Sequence, residues 1–213
     1  MYDINTPKLP DAMRVLAVSD GRGDVDRIEA VVERAIDGGV RAFQLREPSL
    51  TALALARLCE RLRPSIAAAS GILLVNDRAD LAFAGIADGV HLGRRSLPPA
   101  IVRERLRRPA LVGFSAHDAE ELGRAGAAGC DYATLSPVYA TSCKPGADVL
   151  GPVFASELTV RARLPVLWLG GIAPGRLEDV RASAAFGVAV RSALFEADDV
   201  EGVARRLTAL VRC

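Results

Sequence analysis

The stretch Val166-Leu167-Trp168-Leu169-Gly170-Gly171-Ile172 decides the fold of this chain. Its first four residues are all apolar, which is typical of a strand that is buried on both faces, as the strands of parallel sheets are. The run Leu111-Val112-Gly113-Phe114 has the same character. The two glycines that end the first stretch allow the backbone to approach another group closely. These runs therefore predict a parallel sheet with turns that can contact a ligand.

Runs of this kind alternate with amphipathic segments along the whole chain, which is the pattern of a sheet built from βα units. The predicted strands are Arg14–Ser19, Ala42–Arg46, Ile72–Asn76, Gly89–Leu92, Leu111–Ser115, Tyr132–Ser136, Val166–Leu169 and Gly187–Val190. The predicted helices are Asp26–Asp37, Thr51–Leu62, a short third helix Arg78–Ala84, Pro99–Arg107, Ala119–Ala127, Val153–Ala162, Leu177–Ala184 and Val200–Val211. Eight units favour closure into a (β/α)8 TIM barrel, an α/β fold, as one domain over residues 1–213. The alternative is an open doubly wound sheet, but Gly21-Arg22-Gly23 lacks the third glycine of its usual first turn.

The composition argues against several classes of protein. Half of the 213 residues are apolar and a quarter are charged, so the chain can bury a sizeable core. A net charge of +1 provides no long-range attraction to nucleic acid or to an anionic membrane surface. Apolar runs such as Gly71-Ile72-Leu73-Leu74-Val75 are far shorter than the roughly 20 residues of a membrane span, and residues 1–5 lack the pattern of a signal peptide. We therefore expect a cytoplasmic protein with no nucleic-acid or membrane partner.

In a (β/α)8 barrel the active site lies at the C-terminal ends of the strands. Gly170 and Gly171 follow strand seven, and Arg191 and Ser192 follow strand eight. Backbone N–H groups and the start of a short helix attract anions, so we expect these four residues to bind a phosphate. The alternative is that the glycines only form a tight turn.

Polar residues also end strands two and three. Gln44 and Arg46 alternate with apolar residues and so share the face toward the barrel mouth, where Arg46 can bind a phosphate or carboxylate. An internal ion pair of Arg46 with Asp77 or Glu47 is the alternative. Asp77, which follows Asn76, can offer its carboxylate to magnesium or cap the next helix.

The thiols and imidazoles follow no metal-binding pattern, because the four cysteines are irregularly spaced and no histidine clusters with them. The cysteines are Cys59, Cys130, Cys143 and Cys213. We expect free thiols, and Cys143 is a candidate reactive thiol because it lies beside Lys144 in a polar loop. His91 and His117 are candidates for acid–base chemistry, since imidazole titrates near neutrality, although a strand histidine is often structural.

Taken in order, short motifs along nearly the whole chain resemble the thiamine-phosphate synthase / TenI family. They are Gln44-Leu45-Arg46-Glu47, Val75-Asn76-Asp77-Arg78-Ala79-Asp80-Leu81-Ala82, Ala87-Asp88-Gly89-Val90-His91-Leu92-Gly93, Gly113-Phe114-Ser115-Ala116-His117, Asp131-Tyr132, Ser136-Pro137-Val138-Tyr139, Lys144-Pro145-Gly146, Gly170-Gly171-Ile172 and Gly187-Val188-Ala189-Val190. The resemblance implies the barrel fold and a phosphorylated thiazole or thiamine precursor as ligand, and it allows a homodimer.

Synthases of this family join a pyrimidine diphosphate to a thiazole phosphate with the help of magnesium. The resemblance carries their diphosphate and metal groups onto Gln44, Arg46, Asn76, Asp77, Ser115, Thr141 and Lys144. Three positions differ from the synthase pattern. A lysine is replaced by Pro48, a second magnesium aspartate by Ser96, and a threonine of the pyrophosphate loop by Cys143.

The segment Leu92-Gly93-Arg94-Arg95-Ser96-Leu97-Pro98 looks like the TenI branch, whose members isomerise a carboxythiazole phosphate by proton transfer without a metal. We therefore expect a TenI-like thiazole tautomerase that uses no cofactor. The histidine credited with this activity in some members falls at Pro137, which leaves His117, Glu47, Asp77 or Cys143 as the acid–base group. The alternatives are a magnesium-dependent thiamine-phosphate synthase, with Asp77 as a metal ligand, and a non-catalytic binder of phosphorylated ligands.

Overall fold

The computed structural model describes residues 9–106, 109–141, 146 and 148–211, with side chains up to residue 209. In this part of the chain eight parallel strands form a closed barrel in sequence order. The strands are β1 (Val15–Val18), β2 (Ala42–Leu45), β3 (Ile72–Asn76), β4 (Gly89–Leu92), β5 (Leu111–Ala116), β6 (Tyr132–Leu135), β7 (Val166–Leu169) and β8 (Gly187–Val190). The helices are α1 (Val25–Asp37), α2 (Ala52–Ala68), α3 (Ala79–Phe83), α4 (Pro99–Arg105), α5 (Ala119–Ala127), α6 (Pro152–Arg161), α7 (Leu177–Arg181), α8 (Ser192–Phe195) and α9 (Val200–Val211). Short 3-10 helices cover Asp11–Arg14 and Pro174–Arg176.

The pairing of the first and last strands closes the barrel. Leu16 of β1 is in register with Ala189 of β8 on one side and with Ala42 of β2 on the other. An open sheet would leave β1 and β8 apart, so the predicted (β/α)8 barrel is confirmed and the doubly wound alternative is wrong. All eight predicted strands are present, and their ends differ from the prediction by no more than one residue.

The largest difference from the prediction lies in α2, which runs to Ala68 and not to Leu62. Pro64 lies inside this helix, where a proline removes one N–H donor and favours an earlier end. The helix nevertheless continues because Ile66 extends the buried apolar face that Leu55 and Leu62 begin. Burial of that side chain contributes about 1.5–3 kcal/mol, comparable to the penalty of about 3 kcal/mol for proline.

Helix α7 ends at Arg181, three residues before the predicted end at Ala184. The hydroxyl of Ser183 donates to the carbonyl of Val180 and accepts from the N–H of Ala185. A serine side chain that bonds to the nearby backbone offers an alternative to helical hydrogen bonds, and here it ends the helix. None of the described helices combines the length and apolar character that crossing a membrane would need.

The interior of the barrel is filled by side chains that alternate with those facing the helices. Leu16, Leu74, Tyr132 and Leu167 are fully buried there. Tyr132 takes the space that a side chain at Gly113 would need, because a Cβ atom on Gly113 would lie 2.2 Å from Cζ of the tyrosine ring. A small residue on β5 therefore faces a large one on β6, as close packing of a barrel interior requires.

Candidate functional site

A cavity of about 370 Å³ opens at the C-terminal ends of the strands, a size that suits a small-molecule ligand. Apart from three of the proposed acid–base and loop residues, every residue predicted from the sequence to bind or react lines this cavity. The lining members of that set are Gln44, Arg46, Asn76, Asp77, His91, Ser115, His117, Thr141, Gly170, Gly171, Arg191 and Ser192. The three exceptions are Glu47, which lies outside the cavity, and Cys143 and Lys144, which fall outside the described residues.

Strands β2 and β3 supply a row of polar groups to one wall. The amide nitrogen of Gln44 donates to the side-chain oxygen of Asn76 at 3.0 Å. The Arg46 side chain is exposed at the cavity rim, and its backbone N–H donates to the hydroxyl of Ser19 at 2.8 Å. Among the described residues Arg46 has no ion pair, so the alternative of an internal pair with a carboxylate is not supported. Its guanidinium remains available to an anionic ligand.

The carboxylate of Asp77 is held in place at the cavity from both sides. Oδ2 accepts from the side-chain nitrogen of Asn76 at 2.7 Å, and Oδ1 accepts from the hydroxyl of Ser96. The backbone of Asp77 is left-handed, with φ of 61°, a conformation that costs free energy in residues other than glycine and is common at functional sites. Helix α3 has Arg78 as its N-cap and no side-chain cap, so the predicted alternative role of Asp77 as a helix cap is wrong.

Glu47 serves the loop after β1 and not the cavity. Its two carboxylate oxygens accept the backbone N–H groups of Gly21 at 3.1 Å and Gly23 at 2.7 Å. Both glycines have positive φ, so the carboxylate fixes a turn that other residues would rarely adopt. Because both oxygens are bound and the side chain is buried, we correct its assignment as an acid–base candidate: it anchors the β1–α1 loop.

The fully buried carboxylate of Glu121 joins two cavity residues. It accepts from Nδ1 of His117 at 3.0 Å and from the guanidinium of Arg94. Burial acts to raise the pKa of Glu121, but the hydrogen bonds from Arg94 and His117 outweigh it and hold the pKa below its usual value. The sequence prediction included His117 and missed Arg94, whose only signal was its position after β4.

His91 is a buried residue of the cavity lining, and its ring contacts hydroxyl groups. Nδ1 lies 3.0 Å from the Tyr132 hydroxyl, and Nε2 lies 2.9 Å from the Ser115 hydroxyl. Burial lowers the pKa of His91 to about 4, so the imidazole is neutral near pH 7. His91 is therefore a poor candidate for acid–base chemistry, because a base that cannot take a proton near neutrality is a poor catalyst.

The turns after β7 and β8 form the opposite wall. Gly170 and Gly171 have φ of 96° and 64°, and a Cβ atom on either would lie within 2.8 Å of the segment that follows β6. Arg191 and Ser192 lie beside them, and α8 begins at Ser192. The glycines are thus required by conformation and by close approach, and they leave backbone groups at the cavity surface.

A metal at this site would have to be held by few protein ligands. No group of three or more histidine, cysteine, aspartate or glutamate side chains that could hold a metal is found in residues 9–106, 109–141, 146 and 148–211. The carboxylate of Asp77 and the hydroxyl of Ser96 are oxygen donors at the cavity. Magnesium accepts such a site when substrate phosphates supply further oxygens, so the residues present fit a magnesium ion that binds together with a ligand.

The chain matches known proteins over most of its length. A family model described as thiamine monophosphate synthase covers residues 15–194. The thiamine biosynthesis bifunctional protein ThiM/ThiE of Symbiobacterium thermophilum is 39% identical over 207 residues, which are 97% of this chain and 42% of that protein. The thiamine-phosphate synthase of Laribacter hongkongensis is 39% identical over 189 residues, 88% of this chain and 89% of that protein. A solved thiamine phosphate pyrophosphorylase from Pyrococcus furiosus has a TM-score of 0.84 at 27% identity and covers 94% of this chain and 96% of its own. The chain thus spans less than half of the bifunctional relative and nearly the full length of the other two.

Proposed function

The chain belongs to the thiamine-phosphate synthase family, and from that premise we propose that it is a magnesium-dependent thiamine-phosphate synthase. The observation that carries the proposal is the carboxylate of Asp77, oriented by Asn76 and Ser96 at the mouth of a cavity with anion-binding groups on both walls. The substrates would be a pyrimidine diphosphate and a thiazole phosphate, as in the synthases that the sequence resembles.

The expectation of a TenI-like tautomerase, an isomerase, is wrong. The relatives above are named for the synthase and pyrophosphorylase activities. The expectation depended on the TenI-like segment Leu92–Pro98 and on the replacements Pro48, Ser96 and Cys143, of which Ser96 stands in place of a second magnesium aspartate. The Ser96 hydroxyl instead donates to Asp77 and keeps an oxygen at that position, so the replacement removes a charge but not the polar site.

The wall formed by β2, β3 and β5 suits the diphosphate. Gln44, Asn76 and Ser115 present amide and hydroxyl groups there, and Arg46 adds a guanidinium at the rim. A guanidinium binds phosphate oxygens through two parallel hydrogen bonds, which orients the diphosphate as well as attracting it. We assign these four residues to the diphosphate of the pyrimidine substrate.

The opposite wall suits the phosphate of the thiazole. Gly170, Gly171, Arg191 and Ser192 line the cavity there, and the backbone N–H groups of such turns can bind an anion. Barrels of this type commonly hold a phosphate after strands seven and eight. With one anion bound on each wall, the pyrimidine and the thiazole would meet between the walls. Holding the two reacting groups close together in this way would raise the reaction rate.

Asp77 and Ser96 would hold magnesium together with the diphosphate. When bound, the ion would stabilise the negative charge that develops on the leaving pyrophosphate. The residues around it need to bind and orient anions, since the diphosphate leaves with the bonding electron pair. This role agrees with a cavity in which His91 is neutral and His117 is bound to Glu121.

The direct test is release of pyrophosphate from the pyrimidine diphosphate and thiazole phosphate, with and without magnesium. We expect turnover that needs magnesium and falls about hundredfold in Asp77→Asn, the scale for losing one group that stabilises transition-state charge. Asp80→Asn is the matched control, because Asp80 is exposed, pairs with Arg78 and lies outside the cavity. Binding of either substrate with no turnover at any magnesium concentration would contradict a synthase and indicate a binding protein.

Arg46 should bind its anion in a way that a lysine cannot reproduce. We expect Arg46→Lys to weaken binding of the pyrimidine diphosphate by about 1.5–3 kcal/mol although the charge is kept, because an ammonium cannot form the paired hydrogen bonds. Titration calorimetry measures the affinity, and Arg57→Lys, on the exposed face of α2, serves as control. If Arg46→Ala lowers the melting temperature strongly and leaves affinity unchanged, Arg46 has a structural role instead.

A further inference from the structure

We propose that His91 is a positioning residue that turns the hydroxyl of Ser115 into a hydrogen-bond donor directed at the substrate. The inference rests on the proposed function, in which Ser115 contacts the diphosphate. It concerns a hydrogen-bond network of three side chains, Tyr132, His91 and Ser115, that leads from the barrel interior to the cavity.

Tyr132 lies at the buried end of this hydrogen-bond network. Tyr132 is fully buried, and its hydroxyl has no acceptor other than Nδ1 of His91 in the part of the chain that the structure describes. A buried hydroxyl whose hydrogen has no acceptor is costly, so Tyr132 donates to Nδ1. Burial also raises the pKa of Tyr132, which keeps the phenol protonated and able to donate.

The tautomer of His91 follows from this bond. Because Nδ1 accepts, the single hydrogen of the neutral ring lies on Nε2. Nε2 lies 2.9 Å from the hydroxyl oxygen of Ser115, whereas the hydroxyl of Thr134 lies at 3.5 Å. Nε2 therefore donates to Ser115. The low pKa of His91, about 4, supports a neutral ring near pH 7.

The consequence reaches the cavity through Ser115. The hydroxyl oxygen of Ser115 accepts a hydrogen bond from His91, so the hydroxyl hydrogen of Ser115 is directed away from the imidazole ring. Ser115 lines the cavity, and the described residues offer its hydroxyl no acceptor apart from His91. The opposite arrangement, in which Ser115 donates to His91 and the ring donates to Tyr132, would leave the tyrosine hydrogen unpaired in the interior. The geometry thus fixes Ser115 as a donor, which suits an anionic ligand that only accepts.

The tautomer can be tested without any substrate. The chain has two histidines, so the imidazole nitrogen signals of His91 are identified by comparing the wild type with His117→Gln. In a ¹⁵N NMR spectrum at pH 7, we expect Nε2 of His91 to carry the hydrogen and Nδ1 to be bare. A hydrogen on Nδ1 would overturn the proposal. This result is independent of whether the protein is a synthase.

The link to the ligand is tested by a double-mutant cycle. His91→Asn can still accept from Tyr132 but is too short to reach Ser115, whereas His91→Gln can bring an amide N–H near the Nε2 position. We expect His91→Asn and Ser115→Ala each to lower kcat/KM for the pyrimidine diphosphate about tenfold, the scale of one hydrogen bond to a charged group, and His91→Gln to recover most of it. In the Ser115→Ala background, His91→Asn should have less than a twofold further effect. Equal effects in both backgrounds would show that His91 does not act through Ser115.

Two further measurements separate this proposal from folding and from the proposed function. Thr159→Val removes a different buried hydrogen bond, to Trp168, and should lower the melting temperature while leaving kcat/KM unchanged. If a His91 variant does not fold, Tyr132→Phe tests the same hydrogen-bond network. We expect this substitution to lower kcat/KM twofold or more in the wild type and to have no effect in the Ser115→Ala background. If the wild type has no turnover, the cycle is repeated on the affinity for inorganic pyrophosphate with magnesium, where the same non-additivity is expected and additivity overturns the proposal.

Discussion

Gly171→Ala should raise the KM for the thiazole phosphate about hundredfold. Alanine at φ of 64° costs about 1–2 kcal/mol, and the added Cβ atom would lie 2.5 Å from the carbonyl oxygen of Ala140 and 2.8 Å from Cβ of Tyr139. The turn must shift to relieve these contacts, and its N–H groups then move away from the phosphate. Steady-state kinetics with the thiazole phosphate varied would measure the effect.

Gly175→Ala is the matched control for this substitution. It lies four residues further along the chain, and a Cβ atom built there would meet no atom within 4 Å apart from its immediate chain neighbours. We expect it to leave KM unchanged. A Gly171→Ala enzyme with normal KM would mean that the phosphate binds elsewhere in the cavity, and our assignment of this wall would be wrong.

Acidification from pH 7 to pH 4 should remove about 3 kcal/mol from the free energy of unfolding through His91 alone. Burial lowers the pKa of His91 from 6.5 to about 4 in the folded protein. Between these values the unfolded chain takes up a proton that the folded chain does not, so stability falls as the pH falls. The contribution is fully present above pH 6.5, and each pKa unit is worth about 1.4 kcal/mol.

Chemical denaturation at pH 7, 5.5 and 4.5 would measure this slope. His91→Gln carries no titrating group at that position, so its free energy of unfolding should fall less steeply over the same range, because the two proteins are otherwise identical. Parallel slopes for the two proteins would show that His91 is protonated in the folded state or titrates normally.

The alternation of strands and helices made the fold predictable. Strands buried on both faces carry continuous apolar runs, and the predicted ends of all eight agree with the structure to within one residue. The ends of helices were less predictable because they depend on tertiary contacts. Pro64 would end an isolated helix, but burial of Ile66 keeps α2 helical, and the side chain of Ser183 ends α7 early.

The site was predictable where side chains come directly from strand ends, as Gln44 and Asn76 do. It was less so where a polar residue has two partners to choose from. Glu47 accepts hydrogen bonds from glycines of the β1–α1 loop, and Arg94 donates to a carboxylate on α5 that is 27 positions away in the sequence. Spacing along the sequence carries no information on either contact.

Function was predicted incorrectly because the TenI-like segment around Ser96 and the replacements Pro48, Ser96 and Cys143 were given more weight than the synthase positions that match. Ser96 lacks the charge of an aspartate, but its hydroxyl binds the carboxylate of Asp77 across the mouth of the cavity. A change of residue type at one position says little about a site unless the neighbours it contacts are known.

The close fit of Gly113 against the ring of Tyr132 also bears on how this chain can evolve. A side chain at position 113 is tolerated only after the tyrosine has become smaller, so the two positions are expected to show strong epistasis. The smaller residue would also remove the hydroxyl that sets the tautomer of His91. Replacing Gly113 by a larger residue therefore requires intermediate variants in which the hydrogen bond to His91 is lost. Selection for activity would act against these variants, although the barrel itself could accommodate the exchange.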